Sequence, residues 1–232
     1  MIFIGNGSLL ERAIDYVLNA GYTIDKVYTK DIKIIDFCNK INIENEFCIN
    51  INKKGKELEV LTSDRVVFSI NNEQILSAEL INLEGFKFYN VHNGIVPTYR
   101  GQPSVCVIYA ILNNETEYGV SLHEIDIGID TGKCIDIIKF KLSQEDTFES
   151  IMMKSIELCS EIIKKNMIDI LQGNINYLPV DISKSRLYKF NDLNDIWTLR
   201  NSSSFKRATD LGVFKYWLTD LNDFMKQNEI IN

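Results

Sequence analysis

Apolar and polar positions alternate along this chain with two distinct periods. An apolar run over 1–4 leads into Gly5-Asn6-Gly7-Ser8, after which apolar residues at 10, 13, 14, 17 and 18 keep the spacing of one helix face to about Ala20. Ser8 and Glu11 stand in capping-box order, and Gly21 suits the position past the helix end. The pattern then predicts a strand over 22–28, a helix over 31–40, an ambiguous polar stretch over 46–59 and a buried strand over 66–70 closed by Asn71-Asn72. A helix over 75–83, a buried strand over 86–91 and a helix over 103–112 follow, then strands over 120–125 and 134–140. A long helix is expected from Asp146, with Glu149 at its capping-box position, through Leu171. Strands alternating with helices imply parallel βαβ units with right-handed crossovers, hence an α/β, Rossmann-like, mostly parallel sheet with helices on both faces.

The stretch beyond about 181 differs. Leu187 to Phe190 could form a short strand, and 210–227 carries an aromatic-rich amphipathic helix pattern. The expected organisation is a catalytic domain over 1–180 with a carboxyl-terminal extension over 181–232. The aromatic face could pack on the core or serve a homodimer; apolar helix faces usually meet their own domain.

The densest chemistry lies in 85–132. The apolar run into Val91 ends with Asn90 and His92, which are two apart and so share one face of a strand. A polar pair at the carboxyl end of a buried strand is where open α/β sheets place their sites. The Pro97-Thr98-Tyr99-Arg100-Gly101-Gln102-Pro103 loop comes next. Gly119-Val120-Ser121-Leu122-His123 follows, running into Asp126-Ile127-Gly128-Ile129-Asp130-Thr131-Gly132. These three elements, in this order, resemble the folate-dependent formyltransferases, a resemblance spanning roughly 1–175. It implies the formyltransferase fold, with Asn90, His92 and Asp130 as catalytic residues. It also implies 10-formyl-tetrahydrofolate as co-substrate, its pterin framed by Ile70, Asn71, Ile75, Asp126 and Ile127.

Those residue types suit formyl transfer to an amine. A carboxamide donates to a developing oxyanion without changing charge. An imidazole titrates near neutral pH and can take the amine proton. A carboxylate can orient that imidazole. His123, inside a strand, reads instead as a structural or supporting residue. The acceptor side, by analogy, takes Tyr99, Arg100 and Gln102. Arg100 could fork onto phosphate or hold its loop by an ion pair. Tyr188 or Phe190 could stack on a base or pack in the core. Asn6, Gly7 and Ser8, a glycine turn entering a helix, look like a phosphate loop, because free amides and the helix dipole attract anions.

Composition narrows the acceptor. The formal net charge is −7, which argues weakly against nucleic acid as the main partner. The five cysteines are odd in number and form no C-x-x-C pair, so reduced thiols and no metal are expected. With no leader-like or membrane-spanning run, the expected place is the cytoplasm. His92-Asn93-Gly94-Ile95-Val96-Pro97 departs from the His-Pro-Ser run of the glycinamide ribonucleotide enzymes. It looks most like the nucleotide-sugar N-formyltransferases. The expected reaction is formylation of a dTDP-linked amino-dideoxy sugar, dTDP-4-amino-4,6-dideoxyglucose being the first choice, for surface polysaccharide. The rivals are glycinamide ribonucleotide formyl transfer, hydrolysis of the formyl donor, and a silent ligand-binding module.

Overall fold

A computed structural model describes residues 1–62 and 64–230; the last two positions of the 181–232 extension lie outside them. Strands β1 (Ile2–Gly5), β2 (Lys26–Thr29), β3 (Asn45–Phe47), β4 (Val66–Ile70), β5 (Lys87–His92), β7 (Glu117–Glu124) and β8 (Cys134–Lys141) form one sheet in the order β3-β2-β1-β4-β5-β7-β8. The first five strands are mutually parallel, while β7 runs antiparallel to both β5 and β8. Strand order reverses direction between β1 and β4, so their carboxyl ends open a crevice.

Period-2 alternation divides the core. On β1, Phe3 packs with α1 (Gly7–Asn19), α2 (Ile32–Lys40) and the distal half of α6 (Phe148–Leu171). Ile2 and Ile4 face the opposite cluster, with Leu58 of α3 (Gly55–Leu61) and Leu80 of α4 (Ala78–Ile81). Both sheet faces are therefore covered, which explains why the parallel strands are continuous apolar runs.

A third cluster joins Tyr99 and α5 (Pro103–Leu112) to the amino-terminal part of α6 and to Leu193, Ile196, Phe205, Phe214, Leu221 and Met225. Residues beyond 181 thus share a core with α5. They also pair with the loop after β5. Two-residue strands β6 (Arg100–Gly101) and β9 (Leu187–Tyr188) run parallel, with Arg100 beside Leu187 and Gly101 beside Tyr188.

Local details differ from the sequence expectation. Helix α1 starts at Gly7, and the Ser8/Glu11 capping box does not form; Asn6 holds the N-cap position with its side chain turned to β2. Helix α6 is capped by Thr147 and Ser150 rather than by Asp146 and Glu149. Glu149 instead accepts from the Val213 amide at 2.8 Å, tying down the chain terminus. The pattern over 210–227 is not one helix. After α7 (Phe205–Thr209) it divides into a 3-10 turn over Gly212–Tyr216 and α8 (Thr219–Gln227). The 75–83 helix shortens to α4, capped by Ser77.

Candidate active site

Register in the antiparallel half of the sheet creates the site. Asn90 lies opposite His123 and His92 opposite Ser121, so these four side chains share one face at the carboxyl end of β5. The loop after β7 then delivers Asp130, whose backbone sits at φ 50°, a left-handed conformation that aspartate tolerates.

Asp130 is the hub. Its Oδ2 accepts from the Gly101 amide at 2.8 Å and stands 3.5 Å from His92 Nδ1. Its Oδ1 stands 3.4 Å from His123 Nε2 and 3.5 Å from Asn90 Nδ2. The sequence-predicted trio Asn90, His92 and Asp130 is therefore brought together. Burial works against the Asp130 carboxylate. The positive charge that the imidazoles of His92 and His123 carry when protonated, together with the Gly101 amide, outweighs it and holds the carboxyl well below the usual range.

His92 is buried, and its Nε2 meets the Tyr99 carbonyl at 2.6 Å. A carbonyl only accepts, so Nε2 carries the proton and the neutral ring keeps its lone pair on Nδ1, toward Asp130. Burial pushes the His92 pKa below its ordinary value; Asp130 and the Tyr99 carbonyl offset this only in part. His92 is thus neutral at pH 7 and able to receive a proton at Nδ1.

The supporting loop works by close approach. A Cβ on Gly94 would come within 2.4 Å of both His92 Nε2 and the Tyr99 oxygen. Only glycine leaves room for that bond. Ser121 Oγ fastens the same loop, donating to the Gly94 carbonyl at 2.8 Å and accepting from the Val96 amide at 3.0 Å. Gly101, at φ 100°, approaches the Tyr188 carbonyl so closely that a Cβ would lie 2.3 Å from it. Sequence reasoning did not assign Gly94, Gly101 or the Tyr99 carbonyl. It read His123 as a structural or supporting residue without naming what it supports, because strand register across a loop cannot be read from spacing.

Several expected contacts are corrected. Tyr188 is buried and stacked on Tyr99 at 5.1 Å and 4°, with the Arg186 guanidinium 4.6 Å over its ring, so no face is left for a base. The Tyr99 ring is likewise buried, its hydroxyl donating to Glu115 at 2.8 Å; only its carbonyl serves the site. Ile70 is a core side chain, so it offers no side-chain surface to a pterin, and its carbonyl accepts from the Asn6 amide at 3.3 Å. At the glycine turn, the Asn6 oxygen is taken by Thr29 and Lys30, and the Gly7 amide donates to the Asp31 carboxylate at 3.2 Å. The helix dipole there is satisfied by an internal anion.

Other expected residues remain free to contact ligands. Ile75 and Ile127 are strongly exposed beside the β4 and β7 loop ends, and Ser8 and Gln102 are exposed. Asn71 is exposed, although its amide donates to the Asn6 carbonyl at 3.2 Å. Asp126 shapes its own loop, accepting from the Gly128 amide at 3.0 Å and from Thr131 Oγ1 at 2.5 Å. Arg100 donates from Nη1 to the Ile129 carbonyl at 2.6 Å, propping the Asp130 loop, while its Nε is buried without a partner. Among the described residues no cluster of His, Cys, Asp and Glu could hold a metal ion, and no helix is long and apolar enough to cross a membrane.

A family model described as formyl transferase matches residues 42–166, more than half of the chain and the whole stretch from β3 into α6. The chain belongs to the formyl transferase family. Among curated relatives of this formyl transferase chain is the methionyl-tRNA formyltransferase of Pelagibacter ubique. It is 28% identical over 183 residues, covering 75% of this chain and 57% of that protein. The chain thus spans little more than half of that relative's length. Solved formyltransferases share the fold. An N-formyltransferase from Helicobacter canadensis, in complex with folinic acid and dTDP-3-aminofucose, aligns with TM-score 0.68 and 23% identity over 82% of this chain and 71% of that one. WlaRD, a sugar 3N-formyl transferase in the presence of dTDP and 5-N-formyl-THF, aligns with TM-score 0.66 and 25% identity over 82% of this chain and 69% of that one.

Proposed function

We propose that this chain transfers a formyl group from 10-formyl-tetrahydrofolate to the amine of a nucleotide-linked amino-dideoxy sugar, dTDP-4-amino-4,6-dideoxyglucose being the first choice, for surface polysaccharide. The carrying observation is the convergence of Asn90, His92 and Asp130, with Asp130 oxygens 3.5 Å from His92 Nδ1 and from Asn90 Nδ2.

In this reading the neutral acceptor amine attacks the formyl carbon. Asn90 donates to the oxyanion as the carbonyl becomes tetrahedral. The proton shed by the attacking nitrogen goes to His92 Nδ1, and the charge gained is held by Asp130. The new carbon–nitrogen bond remains, the bond to the folate nitrogen breaks, and a proton passes to that leaving nitrogen. Formylated sugar and tetrahydrofolate result. Ile75 and Ile127 would flank the pterin, with Asn71 and Asp126 as polar neighbours. Arg100 and Gln102 would meet the acceptor.

The sugar acceptor is supported by the dTDP ligands of the two structural neighbours. The net charge of −7 speaks against a tRNA acceptor. Asp31 on the Gly7 amide speaks against a ribonucleotide monophosphate bound at α1, since the phosphate would meet a carboxylate there. Steady-state kinetics with dTDP-4-amino-4,6-dideoxyglucose and glycinamide ribonucleotide, side by side, test the assignment through tetrahydrofolate release. The expected result is a higher kcat/KM with the sugar nucleotide. Preference for the ribonucleotide overturns the sugar acceptor, and donor turnover that does not need an amine overturns transfer in favour of hydrolysis.

A further inference from the structure

His123 completes the site in a way the catalytic trio does not account for. It lies directly opposite Asn90 in the β5–β7 ladder, where the β7–β8 pairing on its other side shifts register between Leu122 and His123. The ring is buried on β7, with Nδ1 2.7 Å from the Glu124 carbonyl. That carbonyl can only accept, so Nδ1 carries the proton and Nε2 presents a lone pair. Two groups stand at Nε2: Asn90 Nδ2, which can only donate, is the nearer at 3.2 Å, and Asp130 Oδ1, which can only accept, lies at 3.4 Å; with the ring proton on Nδ1, the Asn90 contact is the hydrogen bond.

Two consequences follow for the side chain that meets the oxyanion. A carboxamide has two ends, and by itself Asn90 could turn either its oxygen or its NH2 toward Asp130. The His123 lone pair admits only the NH2. With one N–H directed to His123, the other faces Asp130 Oδ1 at 3.5 Å, a long contact that an oxyanion can replace. Asp130 Oδ1 is the second acceptor nearby and enforces the same orientation. The two imidazoles thus bracket one carboxylate, each with its own proton committed to a backbone carbonyl: His92 to Tyr99 and His123 to Glu124.

We propose that His123 is a positioning residue for the transfer, locked as its Nδ1–H tautomer so that its Nε2 fixes the Asn90 carboxamide with the NH2 toward the oxyanion. The proposal rests on the formyl-transfer reading for its kinetic part but not for its structural part. The groups facing the His123 ring are Asn90 from β5, Asp130 from the following loop and the Glu124 carbonyl of its own strand.

Nitrogen-15 NMR of the imidazoles in the whole unliganded protein, from pH 6 to 8, tests the lock without any assay. The expected spectrum at pH 8 shows His123 with a protonated Nδ1 and a hydrogen-bonded, unprotonated Nε2. A protonated Nε2 at pH 8 overturns the proposal. Kinetics test the role with the sugar-nucleotide acceptor. His123→Leu should lower kcat by on the order of 10²-fold, as expected for a misplaced catalytic group, with both KM values within about threefold of wild type. His123→Gln should recover about tenfold of that loss, because a carboxamide oxygen can accept from Asn90. In an Asn90→Ala background, His123→Leu should change kcat by less than about threefold, since the group it positions is gone. An undiminished kcat in His123→Leu, or full additivity with Asn90→Ala, overturns the role. If wild-type protein transfers formyl to no amine while the NMR result holds, the functional reading fails and the tautomer lock stands.

Discussion

At the scale of single residues, the site is organised by what must not be there as much as by its reactive groups. Asn90, His92 and Asp130 are legible in the sequence because their chemistry is distinctive and their motifs are ordered. Gly94 is not legible, since its role is the absence of a Cβ beside a bond made by two other residues. The exchange of the common Pro-Ser for Asn93-Gly94 left the loop geometry open, and the structure gives it a reason. A methyl at position 94 would sit 2.4 Å from His92 Nε2 and from the Tyr99 carbonyl, a distance that no relaxed packing allows. Gly94→Ala is therefore expected to break the His92–Tyr99 bond and release the tautomer it enforces. The predicted loss in kcat is on the order of 10²-fold, from misplacement of the base. Near-native circular dichroism, together with imidazole NMR showing a changed His92, would separate this from unfolding. Unaltered kcat would mean that the Tyr99 carbonyl does not set the ring.

At the scale of elements, the short β6–β9 pairing links the chain's last fifty or so residues to the site. The strand over 187–190 is shorter than the pattern suggested, yet its two residues hold the segment whose Gly101 amide donates to Asp130. Pairing of this kind is not visible in spacing, because the partners are separated by most of the chain. Base stacking on Tyr188 was an open alternative in the sequence, since an aromatic near a binding loop fits a platform and a core equally well. Burial decides it. Tyr188 is 2% exposed and lies among Tyr99, Tyr109 and Arg186. Tyr188→Ala should behave as a large-to-small core change and lower unfolding free energy by about 3 kcal/mol or more. Urea melts would measure it. A stable variant with weakened nucleotide binding would restore the platform role.

At the scale of the whole molecule, the parallel half of the sheet was readable from βαβ periodicity, and the antiparallel β5–β7–β8 end was not. Strand direction depends on how a connection packs, and the 100–116 segment, with α5 inside it, gives no such signal. That end carries Asn90, His92, Ser121 and His123, and the loop between β7 and β8 carries Asp130, so the site's electrostatics are a property of the assembled fold, and acid should report on it. The buried His92 has a pKa below the ordinary histidine value, so between that value and its folded one the unfolded chain binds a proton that the native protein refuses. Stability is fully present above about pH 6.5 and falls as acid passes below it. Asp130, held low by its two imidazoles and the Gly101 amide, adds a second loss below about pH 4, where the unfolded carboxyl protonates first. Glu57, lowered to about 2 by Lys26 and Lys54, acts in the same direction. On the alkaline side burial opposes the Lys26 ammonium, but Glu57, Glu46 and Glu44 outweigh it and raise its pKa, so its contribution persists until lysines begin to titrate near pH 10. The buried cysteines act earlier, because burial raises their thiol pKa values and above about pH 8.5 the unfolded chain sheds protons that the native protein keeps. Urea midpoints should therefore plateau from about pH 6.5 to about pH 8.5 and decline in two steps on acidification. His92→Asn should remove the first step and keep the second. A first step that survives this substitution would assign it to another group and show that folding does not lower the His92 pKa.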